Sequence, residues 1–333
     1  MKVSIFSTKP YDEKFLKDHN SVFGHELVFI ENRLQPTTAV LAEGSLAVCA
    51  FVNDVLDKET LEQLSNGGTR FVAMRCAGFN NVDLAAAKAL GIQVARVPAY
   101  SPYAVAEHAV ALLLCINRHV HKAYNRVREG NFSIDGLMGS DLHGTTVGVI
   151  GTGIIGSIFA KIMGGFGCKV LAHDVVENPD CTNFGVSYVS LEELFSRSHT
   201  ISLHCPLTPQ TRHLIGEKTL GQMRDGVFII NTSRGALIDT EAATTAIKTC
   251  RIGGLALDVY EEESALFFED HSFHVIQDDV LMRLTTFPNV LITGHQAFFT
   301  REAMNNISNT TLSNLADFEA GRDCLNLVQL KTG

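Results

Sequence analysis

A chain of 333 residues, 46% hydrophobic and 19% charged, has the size and composition of two soluble α/β domains with sizeable cores. A net charge of −9 without any basic cluster argues against a nucleic-acid surface, and no apolar run of about 18 residues is present to span a membrane. The cysteines at 49, 76, 115, 168, 181, 205, 250 and 324 form no C-x-x-C pair, which argues against zinc ribbons and dithiol redox motifs. Reduced thiols in apolar contexts point to the cytoplasm.

Residues 1–100 read as a first α/β series. Lys2–Phe6 predicts a strand, too short and too quickly followed by charge to be a signal peptide. Helical sequence follows from Tyr11 to Asn20, then strands at Leu27–Ile30, Leu46–Val52, Phe71–Arg75 and Ile92–Val97. The unbroken apolar run at Leu46–Val52 suits a buried parallel strand. Asp83–Leu90 has helical character, and alternation of this kind implies a parallel sheet covered on both faces. The loop Cys76–Asn81 closes one of these strands. It is either a plain strand–helix connection or a place where backbone N–H groups near Gly78 hold a small carboxylate.

Pro98–Pro102 reads as a crossover into a second domain. One long helix is predicted from Ala104 to Arg128, with His108, His119 and His121 on or near it. No acids stand near them at ligand spacing, so they read as structural and not as metal ligands.

Next comes the stretch that organises the second domain. The strand Thr146–Ile150 runs into Gly151, Gly153 and Gly156, spaced G-x-G-x-x-G. The apolar helix-like segment Ile158–Met163 follows, then a strand from Lys169 to His173 that ends in Asp174. Strand, turn, helix, strand and acid together form the dinucleotide-binding pattern. Gly151 permits a tight turn, Gly153 lets the backbone approach a pyrophosphate, and Gly156 lets the helix pack on the strand. Asp174 is placed to accept hydrogen bonds from both ribose hydroxyls and would repel a 2′-phosphate, which favours NAD over NADP. Later strands are predicted at Thr200–His204, Val227–Asn231, Gly254–Asp258 and Val290–Thr293, and a terminal helix at Ala303–Ala320 that can return to the first domain.

Three polar groups follow strands in this second domain. Arg234, before a glycine, can bind a carboxylate through its planar fork, or can be an ordinary surface arginine. Asp258, Glu261, Glu262 and Glu263 are either a solvated acidic loop or the source of one working acid. His295, ahead of Phe298 and Phe299, is either buried structure or a proton donor near neutral pH. Together they make a coherent machine. A nicotinamide gives hydride to a carbonyl carbon, the histidine exchanges a proton with the oxygen, a carboxylate orients the histidine, and the arginine holds the substrate.

Motifs along nearly the whole chain resemble the D-2-hydroxyacid dehydrogenase family, and within it the bacterial NAD-dependent D-lactate dehydrogenases. They are Phe51–Asp54, Arg75–Asp83, Arg96–Tyr100, Ala106–Ala109, the glycines at 151–156, Ser202–Pro209, Asn231–Asp239, Asp258–Glu261 and Gly294–Phe298. The resemblance implies two Rossmann-like or flavodoxin-like parallel-sheet domains with a cleft between them. It implies a discontinuous substrate domain, 1–100 plus 299–333, and an NAD-binding domain, 101–298. It implies Arg234, Glu263 and His295 as the catalytic set, with Glu263 chosen over Glu261 and Glu262. Cofactor contacts carry over to Gly151, Gly153, Ile154, Ile155, Gly156, Asp174, Cys205, Pro206, Thr211, Thr232, Ser233 and Asp258. Thr211 departs from the asparagine of some members. Substrate contacts carry over to Phe51, Ala77, Gly78, Tyr100, Arg234, His295 and Phe298. The bulk of Phe51, Tyr100 and Phe298 favours a small keto acid, so pyruvate to D-lactate is the expected reaction. The family further implies a homodimer or homotetramer assembled through the helix from about Ala104, and no metal.

Overall fold

The computed structural model describes residues 1–263 and 266–328. Residues 329–333 of the expected first domain, and Ser264 and Ala265 of the acidic segment, lie outside the described residues. The chain divides into two compact units, 1–101 with 299–333, and 102–298.

The first unit holds strands β1 (Lys2–Ile5), β2 (Glu26–Phe29), β3 (Ala47–Ala50), β4 (Phe71–Met74) and β5 (Gln93–Ala95). They form one parallel sheet in the order β2-β1-β3-β4-β5, a flavodoxin-like order. Helices α1 (Pro10–Phe23), α2 (Lys58–Asn66) and α3 (Leu84–Ala89) connect them. Val3, Ile5, Ala47, Cys49, Phe71 and Ala73 fill one core face.

In the second unit a helix α4 (Pro102–Asn117) and a helix α5 (Val120–Arg128) replace the single long helix read from the sequence. The break has a local cause. Asn117 is buried and exchanges two hydrogen bonds with the backbone of Ser140, at 2.7 and 3.1 Å. Gly139 presses so close that a Cβ there would stand 2.3 Å from the Asn117 carbonyl oxygen. His119 then turns the chain with a left-handed φ of 51°.

Strands β6 (Thr146–Ile150), β7 (Lys169–His173), β8 (Ser187–Tyr188), β9 (Thr200–Leu203), β10 (Val227–Asn231), β11 (Ile252–Leu257) and β12 (Val290–Ile292) follow. All pair in parallel, in the order β12-β11-β10-β9-β6-β7-β8. The order reverses between β9 and β6, which is where a doubly wound sheet opens a crevice at its carboxyl edge. Helices α6 (Ile154–Gly165), α7 (Pro179–Asn183), α8 (Leu191–Arg197), α9 (Glu217–Gln222), α10 (Thr240–Lys248) and α11 (Asp279–Thr285) cover the two faces. Neighbouring strand residues serve opposite cores: Ile229 and Leu257 pack with α10 and α11, Ile230 and Ala256 with α4 and α6.

The last helix, α12 (Arg301–Glu319), belongs to the first unit and packs on α1 and β4. Phe318 stacks on Phe71 with ring centroids 4.5 Å apart. Beyond it, Leu327 pairs with Ala95 at the open edge of β5.

Several helices begin with a polar cap. The side chains of Asp57, Ser190, Asp239, Asp278 and Thr300 accept from the backbone of α2, α8, α10, α11 and α12. Helix α6 begins at Gly153, which has no side chain to offer its first N–H groups. Its packing depends on glycine as well, because a Cβ on Gly156 would sit 1.9 Å from the carbonyl oxygen of Gly151. Gly156→Ala is therefore expected to lower stability by about 1–3 kcal/mol in denaturant unfolding through overpacking. Wild-type stability would show that α6 is not pressed against the turn.

Candidate active site

The strands of the second sheet run one way, so the loops after β6, β9, β10, β11 and β12 emerge along one edge. These loops carry Gly151–Gly156, Cys205–Thr211, Thr232–Arg234, Asp258–Glu263 and His295.

The loop after β10 is built by Asn231, whose fully buried side chain accepts from the N–H of Ser233 at 3.0 Å and donates to the carbonyl of Arg234 at 2.8 Å. The Ser233 hydroxyl donates to the carbonyl of Cys205 at 2.7 Å and ties this loop to the one after β9. Gly235 ties it to the acidic loop, since a Cβ there would lie 2.0 Å from the carbonyl carbon of Tyr260. Arg234 is half-buried and, among the described residues, its side chain donates to the Ser233 carbonyl at 2.7 Å. Among the described residues no carboxylate pairs with it.

The acids divide by position. Glu261 pairs with Arg212 at 2.7 Å and with His213 at 2.8 Å. Glu262 is exposed. Glu263 accepts from the N–H of Tyr260 at 2.9 Å through one oxygen, and its other oxygen lies 2.8 Å from Nδ1 of His295. Among the described residues Nε2 of His295 has no partner.

Asp258, expected beside the nicotinamide, is 0% exposed. Its carboxylate accepts from the Thr293 hydroxyl at 2.5 Å and from the N–H groups of Gln296 and Ala297 at 2.9 and 2.8 Å. His108 of α4 stands 3.4 Å from the same carboxylate and 3.2 Å from the Thr293 hydroxyl. The Asp258 carbonyl accepts from the N–H of His295 at 2.8 Å. His295 itself has a left-handed φ of 53°. Burial alone would push the Asp258 carboxyl up, but the hydrogen bonds from His108, Thr293, Ala297 and Gln296 outweigh it and hold it below the ordinary carboxylate range.

His108, Thr293 and Asn231 are participants that motif reading passed over. Only a map of who bonds to whom reveals them. Phe268 is another: its ring lies 5.6 Å from that of His295.

Residues 110–297 match the family described as "D-isomer specific 2-hydroxyacid dehydrogenase, NAD binding domain". The D-lactate dehydrogenase of Escherichia coli is 53% identical over 326 residues, covering 98% of this chain and 99% of that one. The chain belongs to the D-2-hydroxyacid dehydrogenase family. A 2-hydroxyacid dehydrogenase homolog of Haemophilus influenzae is 52% identical over 328 residues, 98% of this chain and 99% of its own. The apo-structure of the E. coli D-lactate dehydrogenase superposes with a TM-score of 0.92 at 50% identity, covering 99% of this chain and all of that one.

The second unit is thus the family's NAD-binding domain, and its residues fit the cofactor. Gly151 takes φ 94°, and a Cβ there would meet the backbone of His204 and Cys205 at 2.6 Å. Around Gly153 nothing lies within 4 Å of a Cβ position, so the uncapped end of α6 faces open space suited to a pyrophosphate. Ile154 is exposed there and Ile155 half-buried. Asp174 ends β7 and accepts from the N–H groups of Thr152 and Val175 at 2.5 and 2.7 Å, which fixes its carboxylate beside the turn. The Thr232 hydroxyl is buried with no hydrogen-bond partner among the described residues, an orphan that a bound ligand would satisfy. Pro206 is exposed, and its carbonyl accepts from the hydroxyl of Thr211 at 2.7 Å, so that side chain holds its own loop. Burial pushes the Cys205 thiol up to about 11, which keeps it neutral and unreactive.

Asp258 yields a prediction. Its folded carboxyl titrates below its unfolded value of 3.8, so its stabilisation is complete above pH 3.8 and is lost as pH falls through the lower folded value. Asp258→Asn should remove on the order of 2 kcal/mol at neutral pH by leaving loop N–H groups unpaired. It should also flatten the acid end of the stability curve. Thermal unfolding across pH checks both, and curves that overlay would deny the clamp.

Proposed function

We propose that this chain is an NAD-dependent D-lactate dehydrogenase, reducing pyruvate to D-lactate and running the reverse. The observation that carries the reading is the 2.8 Å contact between Glu263 and Nδ1 of His295, which leaves Nε2 open on the edge that also presents Arg234.

When bound, reduced nicotinamide supplies the hydride to the carbonyl carbon. Protonated His295 donates from Nε2 to the carbonyl oxygen, and the alcohol results. Glu263 holds the ring by Nδ1 and so aims Nε2 at the substrate. Arg234 grips the substrate carboxylate with two parallel N–H groups and polarises the carbonyl. In the reverse direction neutral His295 takes the hydroxyl proton from D-lactate. Gly151, Gly153, Ile154, Ile155 and Gly156 hold the pyrophosphate region, and Asp174 the ribose. Cys205, Pro206, Thr211, Thr232 and Ser233 complete the cofactor lining, with Asp258 near the nicotinamide and acting through the loop it holds.

We assign substrate contacts to Phe298 in the second unit and to Phe51, Ala77, Gly78 and Tyr100 in the first. The support in the first unit is local. The carbonyl of Ala77 accepts from Arg96 at 2.8 Å and that of Gly78 from the Cys76 thiol at 3.2 Å. The N–H groups of Ala77 and Gly78 make no hydrogen bond among the described residues and suit a carboxylate. The ring of Phe51 is held against the guanidinium of Arg75, 4.7 Å away, itself only 2% exposed.

The same reading includes a homodimer or homotetramer in the cytoplasm. Exposed Val120, Tyr124 and Val127 on α5, with Phe132, Ile134 and Met138 after it, suit a subunit contact. All eight cysteines are free, as in a reducing compartment.

The test is loss of NADH absorbance with pyruvate, beside 2-ketobutyrate, a branched 2-keto acid and an NADPH control, with the product assigned by stereospecific oxidation. Fast NADH-dependent formation of D-lactate is expected; preference for the branched acid would overturn the pyruvate assignment. Arg234→Lys should raise KM and lower kcat while NADH binding is kept, since lysine has no bidentate fork. An unchanged kcat/KM would remove Arg234 from the mechanism. Glu263→Ala should lower kcat for pyruvate about 10- to 100-fold with NADH binding kept, because nothing then holds Nδ1 and aims the imidazole. A kcat equal to wild type would show that Glu263 is not the partner.

A further inference from the structure

The segment after Glu263 lies close to the proton-transfer histidine. We propose that Phe268 is a positioning residue whose ring confines the imidazole of His295 against Glu263 and keeps water from the pair. The proposal rests on the assignment of His295 as acid/base.

Three observations place it there. The rings of Phe268 and His295 lie 5.6 Å apart, centroid to centroid, inclined at 38°. Phe268 has a φ of 71°, a left-handed backbone that a bulky residue rarely adopts, and His295 has one of 53°. Leu266 and Phe267, the two residues before Phe268, are held in place. The N–H groups of Leu266 and Phe267 donate to the Glu263 carbonyl at 3.0 and 2.9 Å, and their side chains pack on the buried core of the NAD-binding domain. With Phe267 directed into that core, the left-handed turn at the next residue delivers Phe268 to the imidazole. One short segment thus presents a carboxylate and an aromatic ring to the same histidine.

The charged groups around His295 are few. Glu263 meets Nδ1. Asp258, with His108 of α4 beside it, is occupied by the loop backbone. Glu261 is paired with Arg212 and His213, and Arg234 is the cation assigned to substrate. The remaining side of the ring is where an aromatic neighbour matters. It covers a face of the imidazole that Glu263, which meets the ring edge at Nδ1, leaves open. It also restricts rotation of the ring that must aim Nε2 at the carbonyl oxygen.

The experiment compares Phe268→Ala, Phe268→Leu and Phe268→Tyr in the full chain. Phe268→Ala should lose about 10- to 100-fold in kcat for pyruvate, as expected for a misaimed proton donor, with the affinity for NADH within about twofold of wild type. Phe268→Tyr should restore kcat, and Phe268→Leu, bulky without a flat face, should fall between. A second readout needs no turnover. Modification of His295 by diethyl pyrocarbonate in the cofactor-free protein, followed by peptide mass, should be faster in Phe268→Ala than in wild type, while His19 reacts equally in both. Wild-type kcat together with an unchanged modification rate overturns the proposal. Should Phe268→Ala fail to bind NADH, Phe268→Leu decides on the same two readouts. Should wild type reduce no 2-keto acid, the functional reading fails, and the modification rates still judge whether Phe268 shields His295.

Discussion

A parallel sheet sends the carboxyl end of every strand to the same edge, and the chemistry depends on that constraint. Five loops emerge there, and those after β9, β10, β11 and β12 are each joined to a neighbour. Ser233 donates to the carbonyl of Cys205, Gly235 admits the chain at Tyr260, and Asp258 at the end of β11 holds the loop that follows β12. None of these joints touches the reacting atoms. They set the positions of Arg234, Glu263 and His295 before a ligand arrives, which is where much of an enzyme's electrostatic advantage originates.

Four acids within six positions, Asp258 to Glu263, take different roles through their surroundings. Asp258 is buried with its oxygens committed to hydroxyl and N–H donors, so it is a geometric anchor. Glu261 pairs with Arg212 and His213 of the loop after β9. Glu262 faces solvent. Glu263 alone meets the imidazole of His295. The repulsion within such a run is relieved by giving Asp258, Glu261 and Glu263 their own partners and leaving Glu262 to solvent.

The doubly wound architecture was legible because apolar runs of strand length alternate with helical segments, and G-x-G-x-x-G marks one turn with a mechanism. The break between α4 and α5 was not legible. Val105, Val110, Leu113 and Ile116 keep one helical period, while the break comes from Asn117 meeting Ser140 and Gly139, contacts of long sequence separation. Residue type alone likewise could not rank Glu261, Glu262 and Glu263, since one position of shift changes the side chain's partners entirely. His108 gave no signal of its role, because its partner Asp258 is 150 positions away. The family motifs supplied an expected catalytic set, and of its three members hydrogen bonding joins Glu263 to His295.

The left-handed backbone at His295 shows how such a site can be strained and still have one conformation. A residue held in this region costs about 1–3 kcal/mol. Against it stand two loop N–H groups and a hydroxyl donating to the buried Asp258 carboxylate, together with the N–H of His295 on the Asp258 carbonyl. Hydrogen bonds to a charged group contribute roughly 1.5–3 kcal/mol each, so the three to the carboxylate alone exceed the strain. Relaxing the histidine would swing those N–H groups away from a carboxylate that has no water to replace them. The loop therefore has no inexpensive alternative, and the imidazole of His295 inherits that rigidity from the buried Asp258.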